Sequence, residues 1–282
     1  MAFEQLRNFF DENGERLEAV VETFATYQPR PVSRNRLWDW LRRSDPDDYL
    51  LLVRLLEQVQ YYDFARINAL LRQLHRAVRE QLSDDGIKQL NRIIFAPLGR
   101  AGESGHEIFR RYRDVNRLQQ TSAILALVPE LQRLIVSSRI ANQKVGVVLL
   151  DDFIGTGEQL ENYWNQILTQ VIPPPQEGIY VASLAAFNDG VVRVQQKTPL
   201  RVITAHYVPT TSQLDASPHF NDAEKNRIRT YCGAIGNQPF GFGDLELLIA
   251  FMHGCPDNTP SILRGGKNQR NWPGILPRFD DL

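Results

Sequence analysis

VVLLDDFIGTGEQL, Val147 to Leu160, is the stretch on which the reading of this chain turns. Four apolar residues predict a strand that delivers two adjacent carboxylates, Asp151 and Asp152, to its end. Gly155-Thr156-Gly157 then predicts a tight turn into a helix beginning near Glu158 and Gln159. Glycines let the main chain approach an anion closely, the free N–H groups of a helix start point at it, and the Thr156 hydroxyl adds a donor. A phosphate suits that turn. The two carboxylates suit sugar hydroxyls, or the waters around a Mg²⁺ ion. Together they describe a pocket for a phosphorylated ribose.

Working outward, short apolar runs alternate with helical patterns after Ser83-Asp84-Asp85-Gly86. Residues 92–98, 145–150, 179–184, 201–206 and 247–252 predict strands; 106–118, 130–138, 157–170, 189–196 and 222–234 predict helices. That alternation argues for a parallel sheet with crossover helices, and in such sheets ligands sit beyond the carboxyl ends of the strands. A second loop follows the strand IIFAPLG, running from Gly99 through Arg100-Ala101-Gly102-Glu103 to Ser104-Gly105, into a helix carrying Arg110, Arg111 and Arg113. Its GxxGxxG spacing lacks the Lys-Ser/Thr of a nucleotide P-loop.

The Asp-Asp, apolar-apolar, small-Thr-Gly order resembles the phosphoribosyl diphosphate motif of type I phosphoribosyltransferases. The resemblance implies that Asp151 and Asp152 act as catalytic residues at the ribose diol, and that Gly155, Thr156, Gly157, Glu158 and Gln159 cradle the 5-phosphate. It implies a pyrophosphate loop at Gly99, Arg100, Ser104 and Gly105, with Mg²⁺ entering through the bound diphosphate. Gln159 departs from the pattern, since the family usually has a small hydroxyl or Ala there; a weaker or altered phosphate grip follows. The stretch from Phe240 to Arg278, with His253-Gly254-Cys255-Pro256-Asp257-Asn258-Thr259-Pro260 and Trp272-Pro273, resembles the ending of a phosphoribosyltransferase-like group of bacterial conflict systems. That group includes retron effectors, often preceded by a winged-helix-like domain, and Trp38-Asp39-Trp40-Leu41 and Leu55-Leu56 through Tyr61-Tyr62 resemble that partner.

The first 86 residues predict helices. Leu17, Val20, Val21 and Phe24 recur on one face, Pro29 and Pro31 end that helix, and a short one bearing Trp38 and Trp40 follows. A helix from Asp47 to Val59 and another from Asp63 to Gln81 complete the segment. The last places Arg72, Arg76 and Arg79 opposite its apolar side: a solvated face, a protein contact, or the recognition helix of a winged-helix module. The expected organisation is α/β, with a parallel-sheet phosphoribosyltransferase-like domain over 87–282 preceded by a small all-helical, winged-helix-like domain over 1–86.

Composition bounds the partners. With 282 residues, 43% hydrophobic and net charge −1, the chain reads as folded, soluble and cytoplasmic rather than disordered or polycationic. Its apolar runs fall short of the roughly 20 residues of a membrane span. Of its 32 basic residues 27 are Arg, which suits bidentate contacts with phosphates or carboxylates. Cys232 and Cys255 exclude a four-cysteine zinc site and read as reduced structural thiols. His106, beside the second loop, either steadies leaving-group charge or simply begins a helix.

The resemblance carries function expectations. Phosphoribosyl diphosphate or a nucleotide would react at its anomeric carbon, and the chain would be a toxic effector of a retron-type antiphage system, held inactive by a reverse transcriptase and its DNA–RNA product. The alternative is a winged-helix transcription regulator whose phosphoribosyltransferase fold only senses phosphoribosyl diphosphate.

Overall fold

The computed structural model describes residues 2–99, 104–174, 178–235, 238–265 and 272–279. Apolar residues at helical spacing build the N-terminal elements α1 (Ala2–Glu12), α2 (Gly14–Thr23), α3 (Arg34–Leu41) and α4 (Tyr49–Glu57), and a short strand follows, β1 (Gln60–Tyr62). The Ser33 hydroxyl caps α3 by accepting from the Arg36 amide at 3.3 Å. Then come α5 (Phe64–Asp84), β2 (Ile93–Pro97), α6 (Ser104–Val115), β3 (Ile124–Leu125), α7 (Leu131–Ile140) and β4 (Gly146–Ile154). A helical run follows β4: α8 (Glu158–Tyr163), a π turn (Trp164–Leu168) and α9 (Thr169–Val171). The remaining elements are β5 (Ile179–Phe187), α10 (Asn188–Lys197), β6 (Arg201–Thr204), β7 (Tyr207–Val208), α11 (Asp222–Ile235), β8 (Ile249–Phe251) and α12 (Ser261–Arg264).

Two compact units result, one of residues 1–64 with 209–282 and the other of 65–208. This division differs from a boundary at residue 86. In the first unit the N-terminal helices share one core with the C-terminal segment: Leu37, Trp40, Leu52 and Leu56 pack in the same cluster as Ile228, Leu263 and Leu276. Polar tips close it. Trp40 and Trp272 both donate Nε1–H to the Ile262 carbonyl at 3.1 Å, and the buried Tyr27 hydroxyl donates to the Pro277 carbonyl at 2.7 Å. β1 pairs in parallel with β8, Gln60 opposite Ile249. The strand expected at 247–252 is therefore only three residues long and belongs to this unit, and among the described residues of 2–64 β1 is the only strand. The helix expected to end at Gln81 continues to Asp84 and buries Ile67, Leu71, Leu74, Val78 and Leu82 in the second unit.

The second unit is α/β. Its six-stranded parallel sheet has the order β3-β2-β4-β5-β6, with β7 beside the far end of β5. Every residue of β5 is buried, as a strand covered on both faces must be. α7, the run after β4, and α10 cover one face, where Leu131, Leu160, Leu168 and Val194 meet Ile94, Val147, Leu149 and Val181. α5 and α6 belong to the opposite face, where Tyr112 of α6 lies against Phe95 and His75 of α5 donates to or accepts from the Tyr112 hydroxyl at 2.7 Å. Right-handed crossovers explain this: β2 to β3 runs one way along the sheet, β4 to β5 the other, so their helices fall on opposite faces. At the amino end, Asp85 accepts from Arg201 at 2.6 Å and from Tyr180 at 2.5 Å. Those bonds, Arg201 first, hold its carboxyl down at about 2.

Candidate functional site

The reversal of strand order between β2 and β4 opens a crevice at their carboxyl ends, the place where open parallel sheets bind ligands. Both glycine loops arrive there. The Leu98 amide donates to the Leu150 carbonyl at 2.8 Å, so the chain leaving β2 stays beside β4 up to its exit. Gly99 follows with φ 89°, a turn glycine makes without strain. Gly105, in the first turn of α6, presses so close that an added Cβ would stand 2.1 Å from the Leu98 carbonyl oxygen and 3.2 Å from that of Leu150. Only glycine lets this helix start approach both strand ends.

β4 runs past the expected Leu150 to Ile154, so Asp151 and Asp152 are strand residues rather than loop residues. Adjacent strand positions face opposite sides, which gives the two carboxylates different surroundings. Asp152 accepts a 2.8 Å bond from the Ser104 hydroxyl at the start of α6, and its amide donates to the Asp151 carboxylate at 3.0 Å. Both side chains are half-buried. Asp151 pairs in register with Ser183 of β5, whose hydroxyl lies 3.5 Å from the Asp152 carbonyl and donates to the Ala185 carbonyl at 2.6 Å.

The Gly155-Thr156-Gly157 turn sits on α10. A Cβ on Gly190 would stand 2.0 Å from the Gly155 carbonyl oxygen and 3.1 Å from the Gly157 nitrogen; one on Gly157, whose φ is 75°, would stand 2.5 Å from the Gly190 carbonyl oxygen. Backbone therefore rests directly on backbone. The Glu158 amide donates to the Thr156 hydroxyl at 3.3 Å, and the Glu161 amide to the Gly157 carbonyl at 3.0 Å. Among the described residues no acceptor takes the N–H of Thr156, Gly157 or Gln159, so the donors an anion would need remain available. Thr156 and Glu158 are half-buried and Gln159 is exposed.

A side-chain link joins the two loops: the Tyr163 hydroxyl of α8 donates to the Gly99 carbonyl at 3.3 Å. Arg193 of α10 donates to Glu161 at 2.8 Å and stands 3.7 Å from Glu158, offsetting negative charge beside the turn. The bond to Glu161 raises the Arg193 pKa. The fold thus brings Gly99, Ser104, Gly105, Asp151, Asp152, Gly155, Thr156, Gly157, Glu158 and Gln159 to one sheet end; Arg100 lies outside the described residues. His106 is the third residue of α6, half-buried, and begins that helix. Sequence reading missed Tyr163, Ser183, Gly190 and Arg193. A Gly in the first turn of the helix expected at 189–196 was the one available signal, because glycine there is unfavourable unless something approaches closely.

Cys232 and Cys255 are both free and buried, and burial pushes the Cys232 thiol up to about 11. Among the described residues no three His, Cys, Asp or Glu side chains gather as a metal site, and no helix is long and apolar enough to cross a membrane.

Nothing among curated proteins matches the chain. Among solved structures, AQ2163 protein from Aquifex aeolicus is similar over 62% of this chain and 82% of its own, at 15% identity and a TM-score of 0.34. The PRTase-CE family model matches residues 37–278, which include both loops, the Asp pair and nearly all of the C-terminal segment, and the chain belongs to this phosphoribosyltransferase-like family.

Proposed function

We propose that the crevice at the ends of β2 and β4 binds a 5-phosphorylated ribose carrying a diphosphate or nucleotide, and supports transfer or cleavage at its anomeric carbon. One observation carries this reading. The N–H groups of Thr156, Gly157 and Gln159 have no acceptor among the described residues, and they lie just past the end of the strand that carries Asp151 and Asp152. The turn would hold the 5-phosphate, Asp151 and Asp152 the ribose hydroxyls, and Gly99, Arg100, Ser104 and Gly105 the leaving phosphates. In such chemistry the bond from the anomeric carbon to the leaving oxygen breaks as positive charge grows on the ring, so a pair of fixed carboxylates assists it electrostatically.

Two neighbouring carboxylates, one steadied by Ser104, fit the waters of a Mg²⁺ ion whose other ligands are substrate oxygens. The ion would neutralise the leaving phosphates.

Family membership supports a wider reading of the chain as an effector. We infer a toxic product of a retron-type antiphage system, restrained by a reverse transcriptase and its DNA–RNA product. Growth of cells expressing the intact chain without its partners should fall, and the Asp151→Asn, Asp152→Asn double variant should restore it. Calorimetric titration with phosphoribosyl diphosphate and Mg²⁺ should show affinity falling about 10- to 100-fold in the same variant, the effect of removing hydrogen bonds to charged groups. Equal affinity in both proteins refutes the site assignment. Binding of promoter DNA tuned by phosphoribosyl diphosphate, without toxicity, would replace the effector reading with a regulator.

A further inference from the structure

A ribose with a 5-phosphate and a 1-diphosphate carries anions at both ends of one ring. The exits of β2 and β4 must therefore stand a fixed distance apart before it binds, or binding itself must order them at a cost in affinity. Ladder pairing sets that distance only as far as Leu98, whose amide donates to the Leu150 carbonyl at 2.8 Å. Gly99 then turns away with φ 89°. Where this loop enters α6, Ser104 is held by its 2.8 Å bond to Asp152, and Gly105 by its close packing on the Leu98 carbonyl. Where the loop leaves β2, the Tyr163 hydroxyl donates to the Gly99 carbonyl at 3.3 Å.

Tyr163 is placed to carry position from one loop to the other. It ends α8, the helical segment that opens on the Gly155-Thr156-Gly157 turn, and it stands one helical turn after Gln159, so the two share a face of that helix. A hydrogen-bonded helical segment moves as one body, and a shift of the phosphate turn shifts the tyrosine with it. The ring is half-buried against the core that holds Leu160, Trp164 and Leu168, and a tyrosine has only two side-chain torsions to fix. The helix changes character immediately afterwards. Trp164–Leu168 form a π turn, in which the Thr169 amide reaches the Trp164 carbonyl, and turns of this kind are frequent at functional sites. Trp164 and Leu168 stay buried across it while Tyr163 reaches the exit of β2.

We propose that Tyr163 is a positioning residue that couples the two loops, holding Gly99 at the spacing from the phosphate turn that a ribose phosphorylated at both ends requires. It acts through the main chain of Gly99 rather than on the ligand. The crevice thereby favours a 5-phosphorylated ribose 1-diphosphate over ribose 5-phosphate, which needs only the turn. This coupling rests on the crevice being the sugar-phosphate site proposed above, and it adds the ligand class that the crevice selects.

The test uses the full chain, wild type and Tyr163→Phe, which keeps the ring in the core and removes only the hydroxyl. Thermal melts establish that both proteins are folded. Each is titrated calorimetrically with phosphoribosyl diphosphate and Mg²⁺, and with ribose 5-phosphate, directly or in competition. Loss of one neutral hydrogen bond should weaken phosphoribosyl diphosphate binding about 3- to 10-fold and leave ribose 5-phosphate binding within about twofold of the wild type. Equal affinity of both proteins for phosphoribosyl diphosphate overturns the coupling. So does an equal loss for both ligands, the result a merely structural tyrosine would give. If the wild type binds neither ligand, the sugar-phosphate reading falls and the coupling with it, an outcome distinct from the other two because it shows before any substitution is made.

Discussion

Gly190→Ala is the sharpest test of the site's architecture, because it changes no residue expected to touch a ligand. Its Cβ would lie 2.0 Å from the Gly155 carbonyl oxygen, 2.9 Å from the Gly155 carbonyl carbon and 3.1 Å from the Gly157 nitrogen. Favourable carbon contacts begin near 3.5 Å, so α10 and the phosphate turn must part by about 1 Å or more. No side chain can rotate away, since every atom met is main chain. Overpacking of this kind costs about 1–3 kcal/mol, and a 1 Å displacement of a binding loop can cost about 100-fold in activity. Tm should fall by about 4–10 °C and affinity for phosphoribosyl diphosphate by at least about tenfold. Gly233→Ala supplies the contrast. Gly233 lies exposed in α11 with nothing within 4 Å of its added Cβ, and the change should stabilise by about 0.5–1 kcal/mol with binding untouched. Scanning calorimetry and titration of both variants decide the matter. A Gly190→Ala protein with wild-type Tm and affinity would show that the turn does not rest on α10, and the site as described would have to be abandoned.

Two further outcomes follow from buried polar groups. His75 sits half-buried against Phe95 and Tyr112, and burial, then Arg79, lower its pKa to about 4 from the usual 6.5. The unfolded chain therefore takes up a proton at a pH where the folded chain still refuses it, so stability is fully present above about pH 6.5 and declines as pH falls toward 4. The loss should reach about 1–2 kcal/mol after solvent screening, and urea unfolding at pH 7.5 and 5.0 should show it in the wild type and show less in His75→Gln. Arg229 donates to Glu246 at 2.6 Å and 2.7 Å and to Asp215 at 2.7 Å, and the Glu246 side chain is only 6% exposed. Arg229→Ala strands that buried carboxylate and should cost about 3 kcal/mol by denaturant titration, whereas Asp215→Ala, removing a partner 76% exposed, should cost under about 1 kcal/mol.

Local order was legible wherever one residue's chemistry speaks for its neighbours. The run from Val147 to Leu160 determined by itself a strand, a carboxylate pair and a glycine turn into a helix, because β-branched residues, glycines and helix starts carry their conformational preferences with them. The alternation downstream determined a parallel α/β sheet in the same way. Three things needed the tertiary structure. Strand length was one: pairing with β5 carries β4 through the aspartates to Ile154, since ladder bonds outweigh the weak strand preference of Asp. The support of the phosphate turn was another, for nothing near Gly155 in sequence announces that Gly190 lies beneath it. The division into units was the third. A helical N-terminal segment looks separable when its amphipathic faces are read one at a time, but those faces bury themselves against residues more than 200 positions later, as when Trp40 donates to the Ile262 carbonyl. Periodicity records that a face must be covered; only long-range packing decides what covers it.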